Sequence, residues 1–251
     1  MANAASSKTI TPVSESARNA RNIRLVVHPS HREAFLSTTR NLLAQDDNDG
    51  DFALIVWGED PEKSNSFYMH LQERSNHASP MNSFTDYSRQ VEPFLQEDIE
   101  VDTFLVPAPQ GESIRSARHL PVESSIEPME FSHAHSNTCP IPAVQSKGAP
   151  SPSHICLNVE LSILPAFRQA FLTMIEENAR LTNLVEVGCI HYLFGESTFQ
   201  ENTFHVYQEY QDDQALQTHR QAPYYSTWTD FANQDAFAKP LKVHVYHKFN
   251  K

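Results

Sequence analysis

The chain contains the same pattern twice, and this repetition limits its fold more than any other feature of the sequence. Arg-Glu-Ala-Phe-Leu at residues 32–36 returns as Arg-Gln-Ala-Phe-Leu at residues 168–172. Gly-Glu, five residues, Asn, one residue and Phe at positions 58–67 return in the same order at positions 195–204. A period this long indicates two copies of one domain rather than a solenoid of short repeats.

Composition divides the 251 residues into four segments around these copies. Residues 1–21 are polar and small with no apolar periodicity, which predicts a disordered tail. Residues 22–107 form the first copy and residues 153–251 the second. Residues 108–152 are rich in proline and serine, which is typical of a linker.

Each copy has the pattern strand, helix, hairpin, helix, strand, which predicts an α+β fold of two ferredoxin-like domains with antiparallel sheets. The second hairpin carries large side chains on both faces, with Tyr192 and Phe194 on one side and Cys189 and Leu193 on the other. A sheet with one solvated face alternates more cleanly between apolar and polar residues. We therefore expect the two sheets to pack together as a pseudo-dimeric α+β barrel within one chain.

Charge and cysteine content narrow the partners and the compartment. The formal net charge of −12 disfavours nucleic acid, because phosphate binding needs clustered Lys and Arg. No run of about 18 apolar residues is present, so we expect no membrane partner. The N-terminus lacks the apolar core of a signal peptide, and Cys139, Cys156 and Cys189 have no CxxC spacing. These features favour a cytoplasmic protein.

Neither a metal nor a nucleotide cofactor is predicted. His133-Ala134-His135 with Cys139 nearby matches no zinc spacing and falls in the linker. The six glycines form no phosphate-binding loop, and no Gly-x-Ser-x-Gly motif occurs.

The second copy resembles the antibiotic biosynthesis monooxygenase family of the dimeric α+β barrel superfamily. Three stretches carry the resemblance, in order and at normal spacings: Glu186 with Gly188-Cys189 and Tyr192; Tyr207-Gln208-Glu209-Tyr210; and Ala215-Leu216, His219 and Ala222-Pro223-Tyr224-Tyr225. Val187 stands where the family has proline, and Gln211 stands where it often has tryptophan. The first copy is similar only through the repeat and looks like a degenerate member.

The resemblance implies a pocket between sheet and helices that binds a flat aromatic or polyketide-like compound of secondary metabolism. It also implies a monooxygenase that works by acid-base chemistry without a cofactor. Relatives of this family include isomerases, cyclases and haem-degrading enzymes, so fold alone does not fix the reaction. A non-catalytic ligand-binding or structural barrel stays open, as does a homodimer.

Glu209 and His219 are the candidate catalytic residues. Glu209 ends a predicted strand and His219 lies one helical turn beyond Ala215, an arrangement that can bring a carboxylate and an imidazole into one cavity. A carboxylate beside a histidine orients the ring and raises its basicity for proton transfer. The alternative is that both residues bond each other or backbone groups and tie strand to helix.

Five further residues are candidates for binding substrate. Tyr207 and His205 share a strand face with Glu209 because side chains alternate with period two. The alternative for this face is that it lines the interface between the sheets. Asn158 lies in the first strand, where haem-degrading relatives use an asparagine, while Tyr224 and Trp228 are expected in the pocket wall.

The first copy lacks the predicted acid-base pair. Aligning the copies through Asn65 and Asn202 places Gln72 opposite Glu209 and Asn82 opposite His219. We therefore expect the first copy to be mainly a structural partner.

Overall fold

The computed structural model describes residues 17–46, 52–74, 81–107 and 154–249. The predicted linker and its His133-Ala134-His135 motif lie outside the described residues, as does the predicted tail up to residue 16. The first strand begins at Arg18, four residues before the predicted start of the first copy. None of the helices in these ranges is long and apolar enough to cross a bilayer.

Both halves of the chain follow the order strand, helix, strand, strand, helix, strand, except that two short helices replace the second helix in the C-terminal half. The N-terminal half contains β1 (Arg18–Val26), α1 (Arg32–Asp46), β2 (Phe52–Glu59), β3 (Ser66–Glu73), α2 (Met81–Val91) and β4 (Glu100–Val106). The C-terminal half contains β5 (Ile155–Ser162), α3 (Arg168–Val185), β6 (Cys189–Ser197), β7 (Thr203–Tyr210), α4 (Asp213–Gln221), α5 (Tyr225–Ala232) and β8 (Lys242–Lys248).

The eight strands close into one antiparallel barrel in the order β1-β3-β2-β8-β5-β7-β6-β4. Two short seams join the halves. In one seam Gly58 pairs with Lys248 and Glu59 with His247, and in the other Phe104 pairs with Ser197 and Leu105 with Glu196. The predicted pseudo-dimeric α+β barrel within one chain is therefore confirmed.

Strand β7 has two buried faces that belong to different cores. Phe204, Val206 and Tyr210 pack in the apolar core between the C-terminal sheet and its helices. Tyr207 points the other way, into the barrel, where it packs with residues of both halves. Burial on both faces explains why large side chains occupy both sides of the hairpin.

The residues that carry the sequence repetition form the same cluster in each half. In the C-terminal half, Arg168 donates to both carboxylate oxygens of Glu196 at 2.5 and 2.8 Å. Asn202 adopts φ 59°, and its backbone N–H donates to Glu196 at 3.1 Å. The Arg168 guanidinium lies 5.3 Å from the centre of the Phe204 ring. The cluster ties the start of α3 to the turn between β6 and β7.

The N-terminal half has the equivalent contacts around Arg32. This guanidinium is bonded through both nitrogens to Glu59 and lies 5.4 Å from the centre of the Phe67 ring. Asn65 adopts φ 66°, and its N–H donates to Glu59 at 2.8 Å. A left-handed residue in the turn and a bidentate Arg–Glu pair explain why Gly-Glu, Asn and Phe recur at fixed spacing.

Candidate functional site

A narrow cleft lies between the C-terminal sheet and helices α3, α4 and α5. Its free volume is about 40 Å³, room for a water molecule or two. Most of the wall is apolar, and the polar exceptions include Asn178, Gln208, His219 and Arg220. An apolar cleft with a few convergent polar groups is the usual form of a small-molecule site.

Helix α4 turns His219 towards this cleft. Asp212 caps the helix by accepting the Ala215 N–H at 2.8 Å, which fixes where the first turn begins. Leu216 and His219 are three residues apart, so they share a helix face, and both are buried.

Glu186 is the partner of His219. The Nδ1 atom of His219 lies 2.8 Å from Glu186 Oε1, and the two side chains are 5% and 7% exposed. The Tyr224 hydroxyl donates to the same carboxylate oxygen. Burial and this hydrogen bond raise the pKa of Tyr224, so its hydroxyl remains a neutral donor.

This arrangement gives the imidazole a defined chemical role. A carboxylate that accepts from Nδ1–H leaves the lone pair on Nε2, the nitrogen that acts as a base. The buried Glu186 also stabilises the imidazolium that forms when His219 takes a proton. The pair therefore has the components of a general base with an orienting carboxylate.

The structure does not bring Glu209 and His219 into one cavity. Glu209 shares the barrel-facing side of β7 with Tyr207, whereas His219 packs against Tyr192 and Tyr210 on the helix-facing side. Glu209 and Tyr210 are neighbours on β7, and neighbouring residues of a strand point to opposite faces. Because His219 packs against Tyr210, the sheet separates it from Glu209. The predicted pairing of Glu209 with His219 is therefore corrected.

Glu209 is instead part of a charged network inside the barrel. Its carboxylate is fully buried, with Oε1 at 2.6 Å from His154 Nδ1 and 2.7 Å from Lys248 Nζ. The Tyr207 hydroxyl donates to Oε2 at 2.9 Å. Burial alone would raise the pKa of Glu209, but the hydrogen bonds from Lys248 and His154 outweigh it and hold the pKa below its usual range.

Three predicted substrate-binding residues also face the barrel interior. Tyr207 stacks on His70 of the other half, with ring centres 3.9 Å apart. His205 stacks on Phe104 at 5.2 Å, and Asn158 lies directly opposite Tyr207 on β5. The structure places these side chains at the interface between the sheets and not at the cleft, because they share the face of β7 and β5 that turns away from the helices.

The other two predicted binding residues lie on the helix side. Trp228 of α5 lines the cleft, and Tyr224 contacts the carboxylate of Glu186. Glu186 and Arg220 were not predicted as site residues. Glu186 had a signal, since it begins the first stretch that resembles the family, whereas Arg220 follows His219 in no recognised motif.

Buried histidines in the barrel predict a loss of stability in acid. Burial, with a smaller contribution from His191, lowers the pKa of His70 to about 3, and burial lowers the pKa of His205 to about 4. The unfolded chain therefore binds more protons than the folded chain below about pH 6.5, and stability decreases as the pH is lowered. Each histidine contributes a slope of up to about 1.4 kcal/mol per pH unit.

Urea unfolding between neutral pH and about pH 4.5 tests this acid limb. Burial and nearby Glu160 raise the pKa of Asp102 to about 6, which acts in the opposite sense. Its side chain is 49% exposed, so solvent screens this effect. His70→Asn should flatten the slope, and an unchanged slope in that variant would refute the assignment to His70.

Comparison with known proteins shows a family likeness in the C-terminal half. The family model for antibiotic biosynthesis monooxygenase matches residues 154–230. An uncharacterised protein of Synechocystis is 27% identical over 100 residues, which span 40% of this chain and 65% of that protein. The match thus covers less than two thirds of the relative's length.

Two crystal structures match the fold over nearly the whole chain. A provisionally assigned monooxygenase from Lactobacillus acidophilus has a TM-score of 0.63 at 10% identity, over 92% of this chain and 94% of that one. A second, from Fusobacterium nucleatum, has a TM-score of 0.65 at 11% identity, over 94% of each chain. At these identities the likeness shows the α+β barrel alone. Residues 154–230 of the C-terminal half are thus similar to the antibiotic biosynthesis monooxygenase family, and the two crystal structures share the fold of the whole chain.

Proposed function

We propose that the C-terminal half is a cofactor-independent monooxygenase-like enzyme that acts on an aromatic small molecule in the cleft. The observation that carries the proposal is that His219 lines the cleft and is held from behind by the buried Glu186. His219 removes a proton from an acidic C–H or O–H group of the substrate, and Glu186 stabilises the resulting imidazolium. The substrate anion then transfers electrons to dioxygen.

The overall step balances without another reductant. A substrate CH₂ group reacts with O₂ to give C=O and water, so one oxygen atom enters the product and the other leaves as water. The substrate carbon supplies all four electrons that reduce the two oxygen atoms, and its two hydrogens leave in the water. The role of the protein is to generate the anion and to exclude bulk water from it.

Substrate binding requires the cleft to open. Its volume of about 40 Å³ is far below the roughly 300 Å³ of a typical ligand pocket. We propose that Trp228, Tyr225 and the short helices α4 and α5 move outward when a ring enters. A haem does not fit the cleft as it stands, because the free volume is only about 40 Å³.

Replacing His219 with glutamine should lower turnover about 100-fold, because the general base is lost. Oxygen consumption with quinol and anthrone substrates measures this, and circular dichroism checks that the variant is folded. His31→Gln, the same change at an exposed position of the N-terminal half, serves as the control and should keep the wild-type rate. A folded His219→Gln variant with full activity would exclude His219 as the base.

A non-catalytic binding barrel is the second candidate, favoured by the small cleft and by Gln211 in place of the family tryptophan. It predicts aromatic binding without oxygen consumption for any substrate tested.

The cytoplasmic location, the role in secondary metabolism and the homodimer stay predictions.

A further inference from the structure

Arg220 lies in the wall of the cleft, directly after His219 on α4. Its Nη2 atom is shielded from solvent and has no hydrogen-bond partner within the described residues of the chain. A buried N–H group without an acceptor destabilises a folded protein, so such a group calls for an explanation.

The other two arginines of residues 154–249 make Arg220 an exception. Arg168 holds Glu196 in a bidentate pair, and Arg180 holds Glu177 at 2.7 Å. The side chains of Arg168 and Arg180 are 38% and 51% exposed, and both have carboxylate partners. The cleft therefore contains a cation for which residues 17–46, 52–74, 81–107 and 154–249 supply no anion.

The chemistry of the site indicates which anion would complete it. A guanidinium presents parallel N–H groups that match the two oxygens of a carboxylate. The surrounding wall is apolar, with Leu161, Trp228 and Leu241 available to contact a ring. A carboxylate bound to Arg220 would also place the body of the molecule in the cleft that His219 lines.

We propose that Arg220 binds a carboxylate of the substrate, so that the cleft selects aromatic acids over neutral aromatic compounds. This inference rests on the proposed function of the cleft and names its substrate class. The net charge of the chain is −12, so attraction of an acid requires a local cation and not a general positive field.

Benzoate and benzamide form a matched pair of probes, since they share the ring and differ in charge. Titration followed by tryptophan fluorescence should give benzoate binding about tenfold tighter than benzamide binding. Arg220→Gln should remove that preference by weakening benzoate alone, whereas Arg180→Gln on the exposed face of α3 should leave both affinities unchanged. Added salt should weaken benzoate more than benzamide.

Each other outcome has a defined meaning. Equal binding of both probes to the wild type, or equal weakening of both by Arg220→Gln, overturns the inference and leaves the aromatic site in place. Failure of both probes to bind at millimolar concentration overturns the aromatic site as well. If Arg220→Gln does not fold, Arg220→Lys replaces it. The lysine keeps the charge but loses the paired N–H groups, so a reduced preference for benzoate supports the inference and an unchanged preference overturns it.

Discussion

Replacing Glu209 with glutamine should lower the free energy of unfolding by about 3 kcal/mol. The carboxylate is fully buried and accepts from His154, Lys248 and Tyr207. A neutral amide would leave Lys248, whose side chain is 27% exposed, without its counter-charge, and would leave the buried hydrogen bonds from His154 and Tyr207 without a charged acceptor, which destabilises more than losing a surface pair. Urea unfolding at neutral pH measures the difference.

Glu160→Gln is the matched control for this change. Glu160 pairs with Lys242 at 2.8 Å, but the lysine is 61% exposed. Its removal should change stability by less than about 1 kcal/mol. Equal midpoints for Glu209→Gln and the wild type would show that the buried network contributes nothing to stability.

The pH dependence of Glu209 follows from the direction of its pKa shift. Its pKa is lowered in the folded state, so its contribution to folding stability is present above the unfolded pKa and is lost as pH falls through the folded pKa.

The folded Glu209→Gln variant should keep turnover, because Glu209 and His219 lie on opposite faces of the sheet. A folded but inactive variant would return Glu209 to the catalytic machinery.

Replacing Gly195 with alanine should disrupt the seam between β4 and β6. A Cβ atom there would lie 2.0 Å from the carbonyl oxygen of Leu105 on β4, a contact that real structures do not contain. Gly58 has the equivalent position in the other seam, where a Cβ would lie 1.9 Å from the carbonyl oxygen of His247. Because the obstacle is backbone, strands must separate, and we expect a loss of about 3 kcal/mol for either variant.

Thermal unfolding with near-ultraviolet circular dichroism tests the seam. Each glycine variant should unfold at a lower temperature than the wild type. The two halves should no longer unfold together in one cooperative transition. Val101→Ala, an exposed change on β4, is the control and should stay within about 0.5 kcal/mol of the wild type. Wild-type stability in both glycine variants would mean that the seams can widen without loss.

The architecture was predictable because local and long-range signals agreed. Arg32 and Arg168, with their glutamate partners, make equivalent contacts, so their spacing was preserved in both halves and visible in the sequence. Large residues on both faces of the second hairpin indicated that neither face was solvated, which led to the barrel.

The site was harder to predict, because both faces of β7 are buried. Polar His205, Tyr207 and Glu209 alternate in the way that an active-site wall does, yet they line the barrel. The alternation of side chains along β7 does not indicate which face of the strand packs against the helices. The true partner of His219 is Glu186, 33 residues earlier at the end of another helix, and only the tertiary fold brings the two residues together.

The stacked pair of His70 and Tyr207 shows what fusing two halves into one chain permits. These residues occupy corresponding positions of β3 and β7, and they meet face to face. In an assembly of two identical chains, a residue at such a position would meet its own copy, and every substitution would occur on both sides at once. A single polypeptide does not have that constraint. One half can therefore contribute the imidazole of His70, and the other the phenol of Tyr207, which donates a hydrogen bond to the carboxylate of Glu209.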